Sequence, residues 1–324
     1  MKVILQKDLF LRSEEVFSNA SKQHNIEFLL TEVLDETAML SFHNEGAKCF
    51  VIGAENYSRS FYESIKSGSA VIRYGVGYNS VPVDICKARN IAVGFTPGTL
   101  TDSVAEHTFA MLLAMNRNIP QLDALMKNNH WQGITGLELK GKTFAILGFG
   151  QIGKAVARIA KFGFGMKVNA FDVMQSIDSN LVDYYSNDFD SVVKDADIIT
   201  IHMAVMPSTK GFINSERIEK CKDGVQFINI SRGDLVDEKA LFEALQKKKI
   251  SAAALDVFVN EPYIPTPEAD FRTLSNVVLT PHCGSNTKEA SNKMAEMVME
   301  NILAYYNDGE MTLIPEFDLS NIII

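Results

Sequence analysis

Thr143-Phe144-Ala145-Ile146-Leu147-Gly148-Phe149-Gly150-Gln151-Ile152-Gly153 joins an apolar run of strand length directly to a G-x-G-x-x-G turn. Lys154-Ala155-Val156-Ala157-Arg158-Ile159-Ala160 then keeps its apolar residues at helical spacing, and a second apolar run, Met166 to Phe171, ends on Asp172. Strand, glycine turn, helix, strand and acid stand in the order that a dinucleotide site needs. Gly148 permits the tight turn, Gly150 lets the backbone approach a pyrophosphate, and Gly153 lets the helix pack on the strand. The pyrophosphate would rest on the free N–H groups at the helix N-terminus, where the helix dipole favours negative charge. Asp172 would accept hydrogen bonds from an adenosine ribose and repel a 2′-phosphate, so NAD is expected rather than NADP. The plainer alternatives are a glycine-rich turn without a ligand and, for Asp172, a turn residue after a strand.

Around this unit the chain has room for two domains of ordinary size, with 324 residues. Its 46% hydrophobic and 22% charged content is that of a globular protein. No stretch approaches the roughly 18 unbroken apolar residues of a membrane span. The start, Met1-Lys2-Val3-Ile4-Leu5-Gln6-Lys7-Asp8, turns polar too early for a signal peptide. The formal net charge is −9. The one lysine run, Lys247-Lys248-Lys249, falls at the end of a predicted helix, where cations suit the dipole. Neither nucleic acid nor membrane is therefore expected as a partner. Cysteines stand at 49, 86, 221 and 283, none in a C-x-x-C arrangement. This pattern predicts no metal site, no disulfide framework and a reducing, cytoplasmic location. Cys283 reads as a small residue in a site wall.

In chain order, residues 2–6 read as a strand, 13–24 as a polar-faced helix, and 26–30 and 48–52 as strands. A helix over 58–66, a strand over 70–74 broken by Gly75-Val76-Gly77, a helix over 82–89 and a strand over 91–93 follow. Strands alternating with helices imply a parallel sheet covered on both faces. Thr101 or Asp102 caps a long buried helix to about Asn116, and 118–141 reads as a loop-rich excursion containing Trp131. Long excursions in compact proteins serve interfaces or function, and this one is assigned to a homodimer contact. Further strands are read over 198–201, 225–230, 251–255 and 277–279, with helices over 237–247 and 287–306. Residues 257–274 carry Pro262, Pro265 and Pro267 and read as a loop. The tail after Asn307 is short and ends in apolar Ile322-Ile323-Ile324.

Four successive candidate strands end in His202, Arg232, Asp256 and His282, and Glu261 lies just after one of them. In an open α/β sheet, ligands bind at those strand ends. Hydride transfer from a 2-hydroxy acid needs a group that holds the carboxylate and polarises the carbonyl, which suits the bidentate fork of Arg232. It needs a group that takes the hydroxyl proton, which suits His282. It needs a carboxylate behind that imidazole, which suits Glu261. Individually each has a plainer reading: Arg232 as half of an ion pair, His282 as a structural residue, Asp256 as a turn cap, His202 as a packing residue beside the cofactor. Their convergence beside a nucleotide site raises Arg232, Glu261 and His282 together.

Several further motifs accompany these residues: Arg73-Tyr74-Gly75-Val76-Gly77, Ser103-Val104-Ala105-Glu106-His107-Thr108, Asn229-Ile230-Ser231-Arg232-Gly233-Asp234-Leu235-Val236-Asp237-Glu238, Ala254-Leu255-Asp256-Val257-Phe258 with Glu261-Pro262, and Thr280-Pro281-His282-Cys283-Gly284. With the glycine turn they cover about residues 70–300, and the chain resembles the D-2-hydroxyacid dehydrogenase family. The resemblance implies an α/β protein with two doubly wound parallel-sheet domains. One is a Rossmann NAD-binding domain over 102–298; the other is a flavodoxin-like substrate domain over 1–101 and 299–324, with the site in the cleft between them. It implies that His282 is the acid/base, Glu261 its partner and Arg232 the contact to substrate carboxylate and carbonyl. Arg73 and the backbone N–H groups around Val76 and Gly77 would help to bind the substrate. Asp256 would meet the nicotinamide amide, and Gln151, Ile152, Asp172, His202, Ile230, Ser231 and Gly284 would line the NAD site beside Gly148, Gly150 and Gly153.

Within the family, Gly284-Ser285-Asn286-Thr287-Lys288-Glu289-Ala290 and Ile119-Pro120-Gln121 look most like phosphoglycerate dehydrogenases. Three departures run against the pattern: Asn79-Ser80 after Tyr78, Gly53-Ala54-Glu55 near where a basic residue is often found, and His202-Met203-Ala204 in place of His-x-Pro. Glu55 would repel a phosphate. The leading expectation is an NAD-dependent oxidoreductase acting on D-2-hydroxy acids or the matching 2-oxo acids, with 3-phosphoglycerate first and glyoxylate or hydroxypyruvate next. The rival class is an NAD-sensing binding protein like the corepressors that share this fold, against which the complete Arg232, Glu261 and His282 set weighs. A formate dehydrogenase would carry Gln where Glu261 stands; a phosphite dehydrogenase fits the motifs as well.

Overall fold

A computed structural model describes residues 1–174, 178–266 and 268–317. Pro267 and the terminal Ile322-Ile323-Ile324 lie outside the described residues. The chain divides into two compact units, Met1–Leu100 with Asn286–Ile324, and Thr101–Ser285.

The first unit holds strands β1 (Lys2–Gln6), β2 (Glu27–Thr31), β3 (Cys49–Ile52), β4 (Ala70–Arg73) and β5 (Ala92–Gly94). They form one parallel sheet in the order β2-β1-β3-β4-β5. This is the flavodoxin-like doubly wound order. Strands in such a sheet are apolar on both faces, and β1 follows that rule. Val3 and Leu5 face a cluster with Phe17, Met294 and Val298, whereas Ile4 faces one with Met39, Phe61 and Ile85. The last helix, Lys288–Tyr306, is capped by Thr287, whose side chain accepts from Ala290 N–H. Its Ala290, Met294, Ala295, Val298 and Ile302 all join the same cluster on this sheet. The whole helix therefore belongs to the first unit from residue 286 onward. The expectation of a boundary at 298/299 cut across one continuous apolar face.

The second unit holds β6 (Thr143–Leu147), β7 (Lys167–Phe171), β8 (Tyr184–Ser186), β9 (Ile198–Ile201), β10 (Val225–Asn229), β11 (Ile250–Leu255) and β12 (Val277–Leu279). The sheet order is β12-β11-β10-β9-β6-β7-β8, and every pairing is parallel. The order reverses between β6 and β9, which is the dinucleotide-binding switch point of a Rossmann sheet. Ala145 and Leu147 face a core with Phe189, Phe212 and Phe227. On the other face Phe144 meets Phe109 of the helix Thr101–Asn116 edge-on, with ring centroids 6.0 Å apart.

Several elements were not expected from the sequence. Helices Lys7–Arg12, Glu36–Asn44, Phe189–Val193 and Ser215–Lys220 and the short edge strand Tyr184–Ser186 fill stretches that the periodicity left unassigned. The excursion over 118–141 begins with a helix, Ile119–Lys127, which Pro120 enters at its first turn and which has no buried residue. Its apolar Ile119, Leu122, Leu125 and Met126 do recur at helical spacing, but they face no core in this chain. The helix after the glycine turn spans Gln151–Arg158 and continues as a wider π turn over Ile159–Gly163.

Candidate active site

The glycine turn sits at the C-terminal end of β6. Gly148 takes φ +96°, and a Cβ there would lie 2.6 Å from the carbonyl carbon of His202. A Cβ on Gly153 would collide with the Gly148 carbonyl, so the helix packs on the strand end only because Gly153 lacks a side chain. Gly150, the residue before the helix, faces open space. That open face, at a helix start with its N–H groups free of intrahelical partners, fits a pyrophosphate. Asp172 follows β7; its Oδ2 accepts from Phe149 N–H at 2.7 Å and its Oδ1 from Met174 N–H at 2.9 Å. The carboxylate thus braces the glycine turn while keeping further lone pairs for a ribose.

His202 follows β9, its N–H donating to the Leu147 carbonyl at 2.7 Å and its Nε2 lying 3.0 Å from Thr200 Oγ1. Burial pushes this imidazole down to about 3, so it is neutral at pH 7. Ile230 is buried, and Ser231 donates its hydroxyl to the Met203 carbonyl at 2.8 Å. Gln151 is exposed and Ile152 half-buried at the start of the helix.

Three further strand ends build the reactive group. After β10, the Asn229 side-chain amide donates to the Arg232 carbonyl at 2.8 Å and fixes the turn. The Arg232 guanidinium donates to the Ser231 carbonyl at 2.6 Å. Burial lowers its pKa and the charge of Glu261 opposes that, so carboxylate and cation sense each other. Beyond β11, Glu261 Oε1 accepts from Phe258 N–H at 2.9 Å. Its Oε2 lies 2.6 Å from His282 Nδ1. Burial raises the Glu261 pKa, but the His282 contact, the Phe258 N–H and Arg232 outweigh it, and the net shift is downward. With Nδ1 engaged by the carboxylate, Nε2 is the ring nitrogen left for proton exchange.

Asp256, at the end of β11, is 1% exposed. Its Oδ1 accepts from Thr280 Oγ1 at 2.5 Å and Cys283 N–H at 2.9 Å, and its Oδ2 accepts from Gly284 N–H at 2.9 Å. Burial alone would raise this carboxyl, yet His107, Thr280 and the two amides hold it down at about 2. Asp256 is the anchor of the turn that carries His282. The neighbouring Cys283 thiol is raised by burial and by that carboxylate, so it is not a thiolate nucleophile.

Sequence patterning assigns no role to two residues of this cluster, His107 and Thr280. The available signal was a polar residue on the buried stretch Val104 to Leu112 of the helix Thr101–Asn116.

In the first unit, the chain after β4 makes the Gly75-Val76-Gly77 loop. Gly75, with φ +140°, donates its N–H to Thr96 Oγ1 at 2.9 Å. Val76 and Gly77 are half-buried. Arg73 is 6% exposed, and its guanidinium is turned onto the Tyr74 carbonyl. At the end of the neighbouring β3, the fully buried Gln6 accepts from Gly53 N–H and donates to Glu55 Oε2 at 3.2 Å.

Residues 109–284 match the family model of the D-isomer specific 2-hydroxyacid dehydrogenase NAD-binding domain. The chain belongs to the D-isomer specific 2-hydroxyacid dehydrogenase family. A D-3-phosphoglycerate dehydrogenase of Bacillus subtilis is 38% identical over 258 residues, 79% of this chain, which spans about half (48%) of that relative's length. A glyoxylate reductase of Thermococcus litoralis is 36% identical over 266 residues, 78% of each protein. The D-lactate dehydrogenase of Aquifex aeolicus, solved with NAD and lactic acid, superposes with a TM-score of 0.81 at 26% identity, over 94% of this chain and 96% of that one. The dehydrogenase uses NAD as its coenzyme, and the glycine cradle and Asp172 described above fit that group. No described helix is long and apolar enough to cross a membrane.

Proposed function

We propose that this dehydrogenase interconverts a small, unphosphorylated D-2-hydroxy acid and its 2-oxo acid, with glyoxylate or hydroxypyruvate as the oxo substrate. The observation that carries the reaction is the 2.6 Å contact between His282 Nδ1 and Glu261 Oε2, beside Arg232. When bound, the coenzyme would supply a hydride as NADH, or accept one as NAD+, at the carbon that bears the oxygen. In the reductive direction Arg232 holds the substrate carboxylate and draws electron density onto the carbonyl oxygen. His282 Nε2 then gives its proton to that oxygen, and Glu261 supports the imidazolium before transfer. In the oxidative direction the same nitrogen takes the hydroxyl proton. In the first unit we assign a substrate role to the N–H groups of Val76 and Gly77 and to Arg73, which precedes their loop. Asp256 Oδ2 keeps a lone pair for the nicotinamide amide.

Glu55 supports the unphosphorylated substrate. It follows β3, the immediate neighbour of β4, with Ile52 paired to Arg73. The 75–77 loop and the Gln6-held carboxylate of Glu55 therefore emerge from adjacent strand ends of one sheet. A fixed negative charge there disfavours a phosphorylated acid. Similarity to the phosphoglycerate dehydrogenase keeps 3-phosphoglycerate as the second reading. Loss of NADH absorbance with glyoxylate, hydroxypyruvate and phosphohydroxypyruvate tests both. Turnover of none of them defeats the proposed reaction, and preference for the phosphorylated acid reverses the order of the two readings.

We further assign Ile119, Met126, Trp131 and Leu137 to a homodimer face. They are 53%, 54%, 91% and 54% exposed, an apolar display that a monomer rarely leaves to water. Sedimentation as a monomer at micromolar concentration would defeat this assignment. The four free cysteines suit a reducing cytoplasm.

A further inference from the structure

His107 comes from the helix Thr101–Asn116, 173 residues before Thr280, yet its ring reaches the turn that carries His282. Its Nε2 lies 3.3 Å from Thr280 Oγ1 and 3.5 Å from Asp256 Oδ1. Thr280 has a single hydroxyl proton, and the 2.5 Å contact commits it to Asp256. The Thr280 oxygen is then an acceptor toward His107, and an ionised carboxylate can only accept. Nε2 therefore carries a proton and shares it between the two.

Asp256 collects the bonds that define the turn. Its carboxylate receives the N–H groups of Cys283 and Gly284, and its carbonyl receives the His282 N–H at 2.7 Å. Within that turn His282 takes φ +49°. A side chain-bearing residue keeps that backbone state only where its surroundings over-determine it. The direction of the His282 ring thus depends on Asp256, and the lone pairs of Asp256 are oriented from below by His107 and Thr280.

We propose that His107 is a positioning residue: by donating to Asp256 and Thr280 it holds the 280–284 turn in the geometry that aims His282 at Glu261. This rests on the proposed reaction. His107 acts through His282 and has no contact of its own with the reacting atoms.

The test compares His107→Leu, which removes the donor, with His107→Gln, which returns an N–H at similar reach. With whichever 2-oxo acid the wild type reduces, His107→Leu should lower kcat by roughly tenfold or more, as small displacements of a catalytic group do. The NADH Kd from fluorescence titration should stay near the wild-type value, and His107→Gln should recover most of kcat. Unchanged kcat in His107→Leu overturns the proposal. So does a loss that Gln does not recover, or one matched by an equal loss of NADH binding. Should His107→Leu fail to fold, Thr280→Val is read by the same criteria. A readout independent of turnover is the deshielded Nδ1 proton of His282 in the NMR spectrum. It should be present in the wild type and His107→Gln and lost in His107→Leu; its persistence in His107→Leu overturns the proposal even if no substrate is found. A wild type that reduces no 2-oxo acid, with the proton signal behaving as stated, counts against the reaction and not against the positioning role.

Discussion

Glu261 and His282 meet at 2.6 Å with both side chains about one-third exposed, at 35% and 33%. The pair is therefore open on one side and fixed on the other, where Glu261 is tied to Phe258 N–H. A general acid needs that combination: a ring held in place, with its free nitrogen accessible to substrate. His282→Ala should lower kcat by about 10²–10⁴, the usual worth of such a group, with NADH affinity little changed. Glu261→Gln should lower kcat as well, because its single amide oxygen cannot replace both carboxylate oxygens, one facing Phe258 N–H and the other the His282 ring. Stopped-flow turnover with separate NADH titration distinguishes these outcomes. An equal fall in coenzyme affinity would make His282 a structural residue.

Asp172 braces the glycine turn through Phe149 N–H and stands where an adenosine ribose would arrive. Asp172→Ala removes both the brace and the negative charge. The NADH KM should rise, and the preference for NADH over NADPH should fall by about tenfold, corresponding to about 1.4 kcal/mol. Steady-state constants with both coenzymes check this. If selectivity is unaltered while the NADH KM rises, Asp172 serves the turn alone.

Asp256 gives a pH prediction for stability. Its carboxyl is held at about 2 in the folded chain, against the ordinary 3.8. The unfolded chain therefore takes up this proton at higher pH than the folded one. The stabilisation is fully present above about pH 4 and is lost as pH falls toward about 2. Its size is about 2 kcal/mol. The difference in unfolding free energy between wild type and Asp256→Asn should shrink by that amount from about pH 5 to about pH 2. A difference that stays flat across this range would mean that the turn does not depend on the ionised carboxylate.

These strand-end residues were legible because each stands at a boundary that sequence marks clearly. Arg232 and Asp256 terminate apolar runs, and His282 and Glu261 lie in turns that follow them. His107 was not legible in the same way. It sits inside a helix whose other residues are mostly buried, where a single imidazole reads as packing. Its role emerges only when a turn 173 residues away is placed beside it. The Gln6–Glu55 bond is similar: Gln6 ends a strand that otherwise reads as pure core, and only the pairing of β1 with β3 brings it to Glu55. The helix Lys7–Arg12 carries no start signal in the sequence, because it follows β1 without a side-chain cap.

The Glu55 carboxylate provides the sharpest test of the substrate. Gln6 is inaccessible to solvent and its amide donates to Glu55, which favours the carboxylate's position at the end of β3. Two like charges about 4 Å apart repel by about 1 kcal/mol in water and more in a partly desolvated site. Glu55→Ala should therefore raise kcat/KM for phosphohydroxypyruvate relative to hydroxypyruvate by about tenfold, equivalent to about 1.4 kcal/mol. Glu55→Gln, which removes the charge and keeps a partner for Gln6, should shift the ratio in the same direction with less disturbance of the β3 end. Both ratios are measured from NADH consumption under identical ionic strength, because screening weakens the effect. A ratio that does not move in either variant would place the distal end of the substrate away from Glu55, and the preference for an unphosphorylated acid would lose its physical basis.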